Sequence, residues 1–445
     1  TAPHARAMTP ASSTAVRRPF CAIDFGTSNS AIALSHAGAR LTLVELEPGQ
    51  RTMPTAVFYG IEGLAPHEAP HLLYGRRALA AYVEGHEGRL MRSMKSILGS
   101  TLADQSTEVG AGHSVRYLDV VSSYLRHLKA MAEREAGDAI ERAVLGRPVY
   151  FVDGDAVRDA QAQAALEAAA RSVGFSELSF QYEPIAAALD YEQSAEREEL
   201  VLVADIGGGT SDFSLVRVGP LRRGRLDRRD DILANHGVHV AGTDFDRHVE
   251  LAGILPLCGY RGRGPSRPGQ APREVPSRVY FDLATWHLIN TVYTAPRVAE
   301  LRRMREFYGE PAQYRRLMTV VQEHLGHALI GLAESAKIAV AEGGESRIDL
   351  SRLETGLHAR LDQAQAVQAL DADLTRIAQA ALHTLQLAGV SPDDVAVVYF
   401  TGGSTGFRPL TERIAAALPQ ARAIHGDRNA SVAQGLGVHA QSLFG

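Results

Sequence analysis

Apolar positions along the chain fall into short runs closed by glycine, separated by stretches of helical spacing. The run Phe20-Cys-Ala-Ile-Asp24-Phe25 leads into Gly26-Thr27-Ser28, and a second short run, Ser30-Ala-Ile-Ala-Leu34, follows at once. Val201-Leu-Val-Ala-Asp205-Ile206 likewise leads into Gly207-Gly208-Gly209-Thr210 and then Phe213-Ser-Leu-Val-Arg-Val218. The second run of each pair is short, β-rich and partly alternating, which predicts a strand. Each glycine loop is therefore expected to be a β-hairpin turn with its N–H groups presented to an anion. In Walker and Rossmann sites such a loop opens a helix instead. A third glycine element, Thr401-Gly402-Gly403-Ser404-Thr405-Gly406, follows the apolar strand Val395–Phe400. Phe407, Leu410, Ile414 and Leu418 then recur at helical spacing, with Pro409 near the helix start. Adjacent glycines there let a flat ligand lie against bare backbone. Helices are also predicted over Ala156–Ser172, over Ile185–Tyr191 after Glu183-Pro184, and through most of 284–341.

The two hairpin candidates are copies of one pattern. With each aspartate as origin, the glycine at +2, the serine at +6 and the leucine at +10 coincide, and position +8 is apolar. The copies lie 181 residues apart, too far for a solenoid and suited to two lobes of similar size. A duplicated α/β domain is the expected architecture.

Composition narrows the function classes. The 445 residues are 45% apolar and 22% charged, as in ordinary globular proteins. A net charge of −5 gives no general electrostatic case for a nucleic-acid or membrane partner. Cys21 and Cys258 are too few for a disulfide framework and sit in apolar surroundings, as core residues do. No apolar run reaches the ~18 residues of a membrane span. Residues 1–19 lack the apolar stretch of a signal peptide and read as a disordered lead-in to a cytoplasmic protein. His324 and His327 lack the spacing of a zinc site. The arginine-dense 261–316 segment reads as a solvated loop and helix face, because aromatic interleaving is thin. Of the 46 basic residues, Lys95, Lys129 and Lys337 are lysines and the other 43 arginines. Each retained lysine is thus a candidate for a specific task, with Lys129 left on the surface by default.

These motifs resemble the DnaK-type heat shock protein 70 family, which has the actin-like (ribonuclease H-like) ATPase fold of two lobes flanking a nucleotide cleft. Asp24-Phe25-Gly26-Thr27-Ser28 and Asp205 through Asp212 resemble its two phosphate hairpins. Tyr182-Glu183-Pro184-Ile-Ala-Ala-Ala-Leu189, Lys95-Ser-Ile-Leu-Gly99 and Ala241-Gly242-Thr-Asp-Phe-Asp246 resemble three further family segments. Glu334-Ser-Ala-Lys337 is similar to the adenosine helix, and Gly402-Gly403-Ser404-Thr405 to the adenosine loop. The resemblance implies lobe I over 20–198, with an insertion at about 40–118, and lobe II over 199–426, with an insertion at about 242–368. A C-terminal helix over 427–445 would return to lobe I. Typical members continue into a peptide-binding domain, whereas 42 residues follow Gly403 here. The chain therefore most resembles the short, nucleotide-domain-only YegD-type branch. Gly406, Ala341 and Ser179 stand where many members carry a base-stacking arginine, a ribose-contacting serine and a basic residue used by J-domain partners. Weaker nucleotide affinity is expected on that account, and the resemblance does not carry regulation by a J-domain co-chaperone over to this chain.

The resemblance also implies site roles. Asp24 and Asp205 would hold a hydrated Mg²⁺, which typically takes one or two carboxylates plus phosphate oxygens. Gly26, Thr27, Ser28, Gly207, Gly208, Gly209 and Thr210 would cradle the phosphates of ATP or ADP. Gly242, Glu334, Lys337, Gly402, Gly403 and Ser404 would hold the nucleoside. Lys95 would direct an ammonium at the γ-phosphate and the attacking water, with Glu183 and Asp212 polarising water or ordering the metal's shell. Phosphoryl transfer asks for this combination of charge neutralisation and positioning. The expected function is slow ATP hydrolysis coupled to lobe motion and passed to a protein partner or client. Two alternatives stay open: a small-molecule kinase on the same fold, and a nucleotide-binding scaffold without turnover. Glu334 and Lys337 could equally form an i,i+3 ion pair.

Overall fold

The computed structural model describes residues 18–35, 40–65, 67–100, 102–265, 269, 271–428 and 430–445. The expected lead-in therefore lies, apart from Arg18 and Pro19, outside the described residues. In the first lobe β1 (Phe20–Phe25) and β2 (Asn29–Ser35) form an antiparallel hairpin, along which β3 (Leu41–Leu43) and β4 (Thr52–Pro54) also pair. An inserted layer follows. It comprises β5 (Ala56–Gly60), β6 (His71–Tyr74), α1 (Gly75–Val83), β7 (Gly88–Arg92) and the hairpin β8 (Ser106–Gly110) and β9 (His113–Arg116). The chain returns through α2 (Tyr117–Ala136) to β10 (Arg142–Arg147), then α3 (Ala156–Ser172), β11 (Glu177–Tyr182) and α4 (Glu183–Ser194).

The second lobe repeats this plan. Strands β12 (Glu199–Ile206), β13 (Ser211–Val218) and β14 (Ile232–Val238) form an antiparallel meander. Its insertion begins with α5 (Gly242–Gly253) and continues through α6 (Arg278–Leu283), α7 (Ala295–Arg303), α8 (Pro311–Gln322) and α9 (Gly326–Ala339). The hairpin of β15 (Glu345–Asp349) and β16 (His358–Asp362) then leads to α10 (Gln363–Ala388). After it come β17 (Val395–Thr401), α11 (Arg408–Ala416), β18 (Arg422–His425) and α12 (Ser431–Phe444). The sheet orders β3-β2-β1-β10-β11 and β14-β13-β12-β17-β18 share one topology, an antiparallel trio extended by two parallel strands. The internal repeat is thus a repeat of fold.

Burial explains why β1 and β12 are apolar almost throughout: both faces of each are covered. Cys21, Ile23 and Phe25 pack toward α2 and α3, whereas Phe20 and Ala22 face a central core built on α4 and α12. Leu202, Ala204 and Ile206 likewise belong to the second-lobe core, and Val201 and Val203 to the same central core. The lobes are therefore joined at their base by one apolar layer. Cys21 and Cys258 are buried, unpaired, and pushed up to about 12 by desolvation.

The 284–341 stretch is mostly helical, as the sequence predicts, with 3₁₀ turns at Ile289–Tyr293 and Met304–Phe307 set among α7, α8 and α9. Pro296 and Pro311 fix where α7 and α8 begin, because proline suits a first turn and ends whatever precedes it. Lys129 is not a surface residue: its ammonium pairs with Glu133 one turn on and lies 5.5 Å from the Phe175 ring centroid. Its aliphatic stem gains apolar cover there while the charge stays matched.

Candidate nucleotide site

Side chains alternate along a strand, and this sets the two hairpin aspartates. Asp24 continues the face of Phe20 and Ala22, and Asp205 that of Val201 and Val203. Both therefore project from the inter-lobe face, just past the last core position, where the strands reach the cleft. Asp24 lies opposite Ala31, and Asp205 lies opposite Asp212, in equivalent hairpin registers.

Every residue that the sequence singled out for catalysis, metal or nucleotide lines one cavity of about 630 Å³. Its walls come from both lobes. Gly26 has no room for a side chain, because a β-carbon would strike the Asn29 carbonyl, so the first loop must turn on glycine. In the second loop the Gly207 N–H donates to the Thr210 carbonyl at 3.0 Å. The loop is held from behind: the Ser404 hydroxyl donates to the Gly207 carbonyl at 2.7 Å, and Thr243 donates to the Gly208 carbonyl. A β-carbon at Gly208 would lie 3.2 Å from the Ser28 hydroxyl of the opposite hairpin, so the two loops face each other closely. Gly402, at φ +89, packs on the backbone of Ile206 and joins the third glycine element to the second.

Charge is concentrated between the hairpins. Lys95, in a 3₁₀ turn at Met94–Ile97, pairs with Glu183, the first residue of α4. Burial works against the Lys95 ammonium, but Glu183, Asp24 and Asp205 together outweigh it and hold its pKa above the usual value. Burial, reinforced by Glu183, pushes Asp24 up to about 8; Asp205 reaches about 7 through burial and the repulsion of Asp212 and Glu183. Asp212 is also raised by burial, against a hydrogen bond from Thr210. Four carboxylates thus share one ammonium, and among the described residues no other lysine or arginine pairs with them.

Another of the three lysines lines the same cleft from α9. Lys337 does not pair with Glu334 on its own helix; it reaches across to Asp246 on α5 at 2.5 Å. Burial raises Asp246 to about 6 even with Lys337 beside it. Sequence reasoning quoted Asp246 without a role, since its partner is 91 residues away and no local pattern links them. It missed Arg428 altogether. That residue lines the same wall beside Gly406, and its only sequence signal is a place between a strand and a small-residue helix.

A two-lobed, duplicated fold of this topology with carboxylates on paired hairpin loops is an actin-like ATPase fold. A family model described as Hsp70 protein matches residues 20–251. Chaperone protein DnaK of Thermosipho melanesiensis is 32% identical over 229 residues, covering 51% of this chain and 34% of that protein. The chaperone protein HscA homolog of Shewanella amazonensis is 31% identical over 253 residues, 52% of this chain and 36% of its own. The chloroplastic stromal 70 kDa heat shock-related protein of Pisum sativum is 30% identical over 248 residues, covering 51% and 32%. The chain belongs to the Hsp70 family, and its match spans about a third of the length of these curated relatives. Among the described residues no helix is long and apolar enough to cross a membrane.

Proposed function

We propose that this protein binds ATP with Mg²⁺ between its lobes, hydrolyses it slowly, and uses the resulting lobe motion as a switch in chaperone-related work with a protein partner. One observation carries the reading: two copies of one hairpin bring Asp24 and Asp205 into a single cleft, with Lys95 held between carboxylates from both lobes. The donor set fits a divalent cation. Four carboxylates stand against one ammonium, and burial, with repulsion between the carboxylates second to it, raises the pKa values of Asp24 and Asp205. Carboxylate oxygens are the ligands Mg²⁺ takes. When bound, the metal would supply electrostatic stabilisation of the phosphate oxygens.

The chain's own groups do the rest of the work. Loop N–H groups at Gly26–Ser28 and Gly208–Thr210 receive the phosphates, with the Thr27 hydroxyl added. Lys95, kept charged by its neighbours, offers a cation to the phosphoryl group. Glu183 holds Lys95 in place and, with Asp212, orients a water. The nucleoside rests along Gly242, Glu334, Lys337 and the Gly402–Ser404 loop. Because both hairpins would grip one ligand, loss of the terminal phosphate changes what holds the lobes together. The setting in this reading is the cytoplasm, in keeping with two buried free cysteines.

Lys95→Ala tests the reading. ATP should still bind, measured by calorimetry, while single-turnover hydrolysis should fall by on the order of 10²- to 10³-fold, as when one preorganised donor is removed. Lys95→Arg should not restore the rate, because a planar guanidinium cannot replace a compact ammonium at this spot. Unchanged turnover in Lys95→Ala would refute the assignment.

A further inference from the structure

The cleft wall beside the third glycine loop carries a cation with no task in the chemistry at Asp24, Asp205 and Lys95. Arg428 follows β18, precedes α12 and lines the cleft. It is exposed. Its guanidinium crosses Gly406 at close range: a β-carbon at that glycine would lie 2.8 Å from Nη1, 3.3 Å from Cζ and 3.7 Å from Nε. The absence of a side chain at 406 is what gives the guanidinium its place. A second observation points to the kind of ligand this wall takes. Ile338 on α9 lines the same cleft and leaves 61% of its surface exposed, an aliphatic side chain turned to solvent inside a binding cavity. Aliphatic surface, bare glycine backbone and a planar cation together suit a flat heteroaromatic ring. Guanidinium is weakly hydrated and stacks on aromatic faces, and a cation over such a face is attracted by its quadrupole.

We propose that Arg428 is the nucleobase-positioning residue of this cleft, its guanidinium laid over Gly406 so that a purine packs on its plane. The inference rests on the nucleotide reading above and adds to it a residue from an element that the sequence did not associate with the site. Arg428 touches none of the groups assigned to phosphoryl transfer, so its contribution belongs to binding of the base.

The test compares two probes, MgADP and inorganic tripolyphosphate with Mg²⁺, which shares the phosphates but has no base. Titration calorimetry of Arg428→Ala should show ADP weakened by roughly 2- to 30-fold, the span expected for a cation–π contact. Tripolyphosphate should bind as in the unmodified protein. Arg428→Lys restores the charge without the plane and should recover only part of the loss. Gly406→Ala should weaken ADP too, because the new β-carbon displaces the flexible tip of Arg428. The double variant should then be no worse than Arg428→Ala alone, the non-additivity of residues acting through one contact. Normal ADP affinity in Arg428→Ala would overturn the proposal while leaving the nucleotide reading intact. An equal loss of tripolyphosphate would overturn it as well, reducing Arg428 to a general positive charge. No ADP binding by the unmodified protein would overturn the nucleotide reading, and this inference with it.

Discussion

Each of the three lysines holds a carboxylate from within a partly or fully covered position: Lys95 with Glu183, Lys129 with Glu133, Lys337 with Asp246. In a chain that otherwise uses arginine, these are places where a compact ammonium fits and a five-donor fork would leave donors unmatched. Rarity made Lys95 and Lys337 legible as candidates; their pairing with Glu183 and Asp246, 88 and 91 residues away, was not. A different residue sets a pH prediction. Glu250 on α5 is fully buried, neither carboxyl oxygen has a hydrogen-bond partner, and burial followed by repulsion from Asp246 holds its pKa well above 4.5. The folded state therefore keeps this proton after the unfolded chain has lost it, so stability falls as pH rises above 4.5, until the folded carboxyl itself titrates. Glu250→Gln keeps the shape and removes the titration. Denaturant midpoints should show the variant more stable than the unmodified protein at pH ~8, with the gap closing toward pH ~5. A gap that stays constant with pH would refute the account.

At the scale of elements, the hairpins were readable because alternation and a glycine turn are local signals, and the strands run at Phe20–Phe25, Asn29–Ser35, Glu199–Ile206 and Ser211–Val218. Helix packing is not local. α12 crosses α4 so closely that a β-carbon on Gly435 would overlap the Ala186 carbonyl. Nothing in Gln434-Gly435-Leu436 announces that contact, since glycine in a helix otherwise reads as a weakness. The two effects oppose each other in Gly435→Ala. Helix propensity alone would stabilise the variant by about 1 kcal/mol, whereas forcing the helices apart should cost about 1–3 kcal/mol. A lower thermal midpoint is the expected result, and a raised one would show that the crossing has room to spare.

For the whole molecule, the two insertions meet through an aromatic contact. Trp286, which follows α6, stacks on Tyr82 of α1 at 5.1 Å between ring centroids. Arg92 at the end of β7 places its guanidinium 4.3 Å from the Trp286 ring centroid, and His327 of α9 meets it edge-on at 4.9 Å. The lobe opening proposed above would have to break these contacts. Trp286 is the chain's one tryptophan, so its fluorescence should report opening directly. Trp286→Ala should speed release of a fluorescent ADP analogue several-fold, a loss of roughly 1 kcal/mol of aromatic contact. Identical release rates in stopped flow would show that this contact does not restrain the lobes.

The sequence by itself determined the duplicated hairpins and the two aspartates at equivalent places in them, because those follow from strand alternation, a glycine turn and a matching offset. It gave no role to Asp246, Glu250, Gly435, Trp286 or Arg428, within the cleft or outside it, because the importance of each lies in a contact. Their partners lie far along the chain, and packing, not pattern, decided what each one touches. Tertiary structure alone joined the lobes through a shared apolar layer and the two insertions through an aromatic contact. Both are built from residues that look ordinary in sequence, since burial and contact are properties of the folded chain.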